Sequence, residues 1–252
     1  MTVINTNVAA SITANALTKN ERAMSQAMER LSTGQRINNA GDDAAGLAIS
    51  SRMTSQINGL NMAVRNANDA ISLVQTADGA LVEMSNMLQR MRELAVQAAS
   101  GTYSSTDRTA LDVEFEALKA GIEDIADDTQ WNGTYLLNGA SAFAFQVGAN
   151  ASQTISLTIK DFETDGNDAN TGVLENIDDP DTTDFQDDDA NDLQSATINT
   201  VAEATTAIIE LRFAITRANT ERATFGAIIN RLEYAVDNLA NVSQNTSSSR
   251  SR

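Results

Sequence analysis

The residues that could carry chemistry in this chain are almost all carboxylates. Among its 252 residues there is no Cys and no His. A Ser-His or Cys-His nucleophile is therefore impossible, as are a disulfide and a zinc site with the usual nitrogen and sulfur ligands. Asp and Glu number 34 against 17 Lys and Arg, a net charge of −17. Thirteen of the acids fall between Asp161 and Asp192, where there is no basic residue. Asp161, Glu163, Asp165, Gly166 and Asn167 follow the first half of a calcium loop, but Gly172 stands where the bidentate Glu is needed. A carboxylate pair could hydrolyse a glycoside, yet such a run reads as a solvated surface loop that cannot hold two carboxyls in place. No catalytic residue, cofactor or metal site is expected. The acidity also excludes nucleic acid and anionic membrane surfaces as partners.

The elements that dominate the chain are helical. Met53, Ile57, Leu60, Val64, Ala67, Ile71 and Val74 alternate steps of four and three. Ala77, Leu81, Met84, Leu88, Met91, Ala95 and Ala98 resume the alternation after a phase break at Val74–Ala77. Val201, Ala204, Ile208, Leu211, Ile215, Ala218, Arg222, Phe225, Ile229, Leu232, Val236 and Leu239 form a second series, with Arg222 its polar member. Leu111, Phe115, Leu118, Ile122 and Ile125 form a third. Sustained alternation of this kind marks helices packed along a stripe. Helices are expected near 47–99, 107–128 and 195–243, with Asp107 a candidate N-cap after the Ser100–Thr106 turn. Aromatics are sparse and the single Pro is Pro180, as suits long uninterrupted helices.

Two further regions differ. Before residue 47, Ile4, Val8, Ile12, Leu17, Met24, Met28 and Leu31 give a thin helical stripe that is marginal alone. Gly34 is a candidate stop, and Gly34–Gly46 reads as a hinge. From Gln130 the period shortens. Asn132-Gly133 and Asn138-Gly139 are hairpin turn signals, and Phe143, Phe145, Val147 and Ile155, Leu157, Ile159 alternate as half-buried strands do. Ser141, Ser152, Thr154, Ser156 and Thr158 fit polar strand faces. The fold class is mainly α: an elongated three-helix, coiled-coil-like rod with a small β-hairpin region and a separate N-terminal helix. The expected segments are 1–46, 47–129, 130–194 and 195–252. The N-terminus has neither the basic nor the apolar stretch of a signal peptide, and no apolar run is long enough to cross a membrane.

Several stretches resemble one family. They are Val3-Ile4-Asn5-Thr6-Asn7, Glu29-Arg30-Leu31-Ser32-Thr33-Gly34 with Arg36-Ile37-Asn38, Asp42-Asp43-Ala44-Ala45-Gly46-Leu47-Ala48-Ile49, and Gln89-Arg90-Met91-Arg92-Glu93-Leu94-Ala95-Val96-Gln97. Gln130-Trp131-Asn132-Gly133, Phe225-Gly226-Ala227-Ile228-Ile229-Asn230-Arg231-Leu232 and Asn241-Val242-Ser243 complete the set. Together they are similar to bacterial flagellins, the subunits of the flagellar filament.

The resemblance implies several things that spacing alone does not. It implies a secreted, non-enzymatic subunit in the extracellular flagellum, exported unfolded through the flagellar type III apparatus. Its partners would be other flagellin subunits and the flagellar cap and junction proteins. It implies that residues 1–46 line an inner tube, and that the family continues beyond Arg252 with another helix. A chain without that helix is expected to remain a monomer or small oligomer. Host Toll-like receptor 5 is a further implied partner, through Gln89, Arg90, Glu93, Leu94, Gln97 and Glu114. Arg90 and Gln97 lie off the seam, with Leu94 at its flank. The alternatives are a hook–filament junction protein, which shares the end helices, and a surface-displayed binding module, which would need a larger middle region. A zinc-protease insert, which some flagellins carry, needs histidines that this chain lacks.

Overall fold

In the computed structural model the described residues are 7–139, 141–162, 193 and 195–252. Four helices and two small antiparallel hairpins account for the elements among them: α1 (Val8–Thr33), α2 (Ala44–Ala98), α3 (Ser105–Asp128), β1 (Gln130–Trp131), β2 (Thr134–Tyr135), β3 (Ser141–Gln146), β4 (Thr154–Ile159) and α4 (Val201–Ser251). No described helix is long and apolar enough to cross a membrane. The chain divides into two units, Met1–Asn58 with Ser243–Arg252, and Gly59–Val242.

In the first unit, the side chain of Asn7 caps α1 by accepting from the Ala10 amide at 3.1 Å. Gly34 ends the helix at φ 68°, a left-handed conformation that costs glycine nothing, and its amide closes on the Arg30 carbonyl. Nothing in α1 is buried, and Val8, Ile12, Leu17, Met24, Met28 and Leu31 are all exposed. Its thin stripe gives it no core of its own. The stretch after Gly34 is not a bare hinge. The Asp42 carboxylate accepts from the Gln26 side chain and from the amides of Asn38 and Asn39 at 3.2 Å. Arg30 approaches it to 3.7 Å. These donors hold the Asp42 carboxyl below its ordinary range, the Gln26 bond contributing most. Asp43 then starts α2 by accepting from the Gly46 amide at 2.8 Å.

The second unit holds the core. From Leu60 the buried stripe of α2 runs Leu60, Ala63, Ala67, Ala70, Val74, Ala77, Leu81, Met84, Leu88, Met91, Ala95 and Ala98. Steps of three and four alternate without the phase break expected at Val74–Ala77. Val64 and Ile71, which the sequence reading placed in the seam, are half-buried, and so is Met53. Along α4 the buried stripe is Ala204, Ala207, Leu211, Ala214, Ala218, Glu221, Phe225, Ile228 and Leu232. Here too the expected Ile208, Ile215 and Arg222 are half-buried, each displaced by its N-terminal neighbour. The cause is the same in both helices. At Ala63, Ala70, Ala207 and Ala214 the position nearest the partner axis takes the small side chain, so the backbones approach, and the larger residue beside it covers the flank; at Glu221 the inward residue is a charge instead. Ile57, Leu60, Leu81, Leu88, Met91, Leu211, Phe225 and Leu232 are buried as the seam requires.

Two contacts fix α2 and α4 as antiparallel neighbours. Arg222 Nε meets Asp78 Oδ1 at 3.0 Å, and Leu239 packs with Leu60 and Ala63. This register sets the small stretch Ala63–Ala77 of α2 opposite Phe225, Ile228, Leu232 and Leu239. It sets Leu81, Met84, Leu88 and Met91 opposite Ala207, Ala214 and Ala218. Large residues mostly face small ones along the seam, with Leu211 on Leu88 the exception, an alternation that helps fill it without voids.

Ser104, not Asp107, is the N-cap of α3. Asp107 sits three residues on and completes a reciprocal capping box with it. Phe115, Ile122 and Ala126 bury one face of α3. The returning helix begins at Val201 and continues to Ser251, past the expected end at 243. The first hairpin turns at Asn132-Gly133 as expected, with Asn132 at φ 49° and Gly133 at φ 80°. Asn138-Gly139 instead lies between β2 and β3, and the β3–β4 hairpin turns through residues 147–153, where Ser152 has φ 67°. In β3–β4, Phe143 faces Leu157 and Phe145 faces Ile155. Ile155, Leu157 and Ile159 are buried in the same core as the helices, while Thr154, Ser156 and Thr158 are exposed. Asp161 and Phe162 are also buried, and Phe162 donates its amide to Leu137 at 3.0 Å. The stretch read as a surface loop thus starts inside the core. Its remainder, with the calcium-like residues Glu163, Asp165, Gly166 and Asn167, lies outside the described residues.

Candidate functional site

The face that the sequence singled out is built where α2 and α3 lie side by side. Met91, Leu94 and Ala95 are buried beneath it, and Phe115 is its counterpart on α3. With those anchors inside, helical geometry turns Arg90 and Glu93 outward on α2 and Glu114 outward on α3. Arg90 joins the two helices. Its Nε and Nη2 both donate to Glu114 Oε1, at 2.9 and 2.8 Å, and its Nη1 donates to Glu93 Oε2 at 3.0 Å. The two carboxylates, Glu114 foremost, raise the Arg90 pKa above its ordinary value. The triad is exposed, so solvent and salt screen it.

The other expected residues are placed as follows. Gln89 is exposed and shares an open depression with Arg92, Glu93 and Val96. Gln97 is half-buried and donates to Tyr103 Oη at 3.1 Å. Leu94 is only 1% exposed, not at the edge of the seam as expected. On a helix with neighbours on two sides the buried face is wider than a two-position stripe, and Leu94 falls within it. Leu94 therefore supports the face from beneath and offers it no apolar surface. The arrangement is a guanidinium held between two exposed carboxylates over a packed core.

Three polar clusters escaped the sequence reading. One is the Asp42 network already described. Another is Asp112, whose carboxylate accepts from the Ile198 amide at 2.9 Å and from the Asn199 side chain at 2.7 Å. The third is the pair Lys160 and Glu221, 2.6 Å apart. The last two join residues distant in sequence, which no local spacing reveals; the Asp42 network mixes local amides, from Asn38 and Asn39, with the more distant Gln26 and Arg30. Only Glu221 left a trace, as a charge next to a heptad position.

Long packed helices, two small hairpins and an exposed charged face define a mainly α-helical protein. Comparison with known proteins gives the family. Residues 4–142 match the bacterial flagellin N-terminal helical region and residues 206–252 the C-terminal helical region. The chain is 41% identical to the flagellin of Bacillus subtilis over 270 aligned positions, covering 99% of this chain and 86% of that one. It is 49% identical to polar flagellin F of Vibrio parahaemolyticus over 65% of this chain, a match spanning 44% of that longer protein. Among solved structures, the crystal structure of Bacillus cereus flagellin is similar with a TM-score of 0.53 and 33% identity, over 69% of this chain and 88% of that one. The chain belongs to the bacterial flagellin family. Its function is accordingly that of a structural subunit of the flagellar filament, assembling with other flagellin subunits.

Proposed function

We propose that this filament subunit also presents, on the shared face of α2 and α3, the surface read by host Toll-like receptor 5. Arg90, Glu93 and Glu114 are the contact residues, with Gln89 and Gln97 flanking them. The observation that supports the reading is the Arg90 bridge. It fixes a guanidinium and two carboxylates in one orientation before any partner arrives, so little side-chain freedom remains to be lost on binding. Leu94 serves by holding α2 against the core under that face. Export through the flagellar type III apparatus, growth under the cap protein and attachment through junction proteins belong to the same reading. So do the assignment of residues 1–46 to the inner tube and of 47–129 and 195–252 to the rod.

A receptor-reporter cell line tests the recognition. Purified chain is expected to activate it, and Arg90→Ala and Glu114→Ala are each expected to weaken activation while circular dichroism stays unchanged. Folded variants with undiminished activation would reject this face as the receptor surface.

A further inference from the structure

Both seam stripes keep the same alternation of three and four, and that regularity has a weakness. Sliding α4 by seven residues along α2 brings buried positions onto buried positions again. Small residues are frequent on both sides, so the apolar pattern alone distinguishes the native alignment from its neighbours only through residue size. Charges inside such a seam restrict alignment strongly, because a slipped charge loses its partner while remaining desolvated.

Besides the buried Glu210, α4 carries an adjacent pair of opposite charges, Glu221 in the buried seam and Arg222 on its half-buried flank. They point to different elements. Arg222 reaches Asp78 of α2 at 3.0 Å, both side chains about one third exposed. Glu221 occupies a buried seam position and meets Lys160 Nζ, just past the end of β4, at 2.6 Å. The two ion pairs lie where the seam changes over, with small residues of α2 facing large ones of α4 on one side and, apart from Leu211 on Leu88, the reverse on the other. Lys160 follows Ile159, which is fully buried in the same core, so its position is tied to the hairpin. From this geometry we infer that Glu221 and Arg222 are a two-way register lock. Arg222 selects the alignment of α4 on α2, and Glu221 couples that alignment to the docking of the β3–β4 hairpin. A heptad slip in either direction would break both pairs at once and leave Glu221 buried without Lys160.

The lock separates register from stability, and so does its test. The chain has no cysteine, so engineered pairs report without background. Leu60→Cys with Leu239→Cys joins residues that pack together natively and reports the native register. Leu60→Cys with Leu232→Cys reports a slip of one heptad. Oxidation of the otherwise unaltered chain is expected to give the first crosslink and to leave the second below it by more than about tenfold. In a charge-free background, with Asp78→Leu, Arg222→Leu, Lys160→Met and Glu221→Leu together with Glu210→Gln, which removes the other buried charge of α4, helix content is expected to persist. The slipped crosslink is then expected to rise to a level comparable with the native one. Asp78→Arg alone is expected to raise the slipped crosslink, and adding Arg222→Asp to suppress it again. A folded charge-free chain that still gave only the native crosslink would overturn the inference. So would a charge-free chain that lost its helices, since the charges would then carry stability rather than alignment. Failure of the swapped pair to restore the native crosslink would overturn the part assigned to Arg222.

Discussion

Substitutions at Ala214 and Ile215, adjacent on α4, test how the α2–α4 seam is packed. The heptad series places Ile215 in the seam and Ala214 beside it; in the structure Ala214 is 0% exposed and Ile215 is half-buried. Replacing Ala214 by Leu adds three heavy atoms opposite Met84 and Leu88, which are themselves buried. If the space were open, each added carbon would stabilise by about 0.8 kcal/mol. In a filled seam the same atoms cost about 1–3 kcal/mol through forced rotamers and backbone shifts. Ile215→Ala removes a side chain that is only partly withdrawn from water. Its cost is about half of the ~1.5–3 kcal/mol for full burial, or about 1 kcal/mol. Urea unfolding followed by circular dichroism checks the pair, with slopes compared to confirm that the denatured state is unchanged. Ala214→Leu is expected to lower the midpoint more than Ile215→Ala does. Leu88→Ala alone is expected to cost about 2–5 kcal/mol. Combined with Ala214→Leu it is expected to cost less than the two single changes together, because one supplies the volume that the other needs. A stabilising Ala214→Leu, or additivity in the double variant, would refute the Ala-centred seam.

Other expectations concern single sites. Gly79 lies exposed within α2 with nothing near its would-be Cβ, so Gly79→Ala is expected to stabilise by about 0.5–1 kcal/mol in the same unfolding assay. At Gly59 a Cβ would stand 3.1 Å from Ala149 Cβ, and Gly59→Ala is expected to gain less than Gly79→Ala or to lose. Asp42 has its folded-state pKa depressed below 3.8. Its contribution is therefore fully present above about that pH and lost as pH falls through the lower folded value. Amide exchange at Asn38 and Asn39, the donors to Asp42, is expected to lose protection over that acid interval, and in Asp42→Asn at neutral pH as well. Arg90→Ala, at an exposed triad, is expected to leave the unfolding midpoint nearly unchanged.

The chain itself determined the number of rod helices, the strands of the hairpin region, the first hairpin's turn at Asn132-Gly133, and the end of α1 at Gly34. It did so because these depend on local causes: period, turn dipeptides and the conformational freedom of glycine. Absence of His and Cys likewise removed whole classes of chemistry without any structure. Family membership, too, was legible from short stretches spread along the chain. What the tertiary structure alone decided is which member of each adjacent pair faces inward. Val64 against Ala63, Ile71 against Ala70 and Ile215 against Ala214 differ by one residue of helical rotation, and ranking by hydrophobic size favours the larger one. Rotation is set instead by how closely neighbouring helices approach, and that distance is a property of two or three helices at once. The burial of Leu94 has the same origin, since α2 carries neighbours on more than one side. Partners for Asp112, Glu221 and Arg222 were hidden for the companion reason. A charge's partner is chosen by which distant segments the core brings together, and nothing in its own neighbourhood along the chain records that choice.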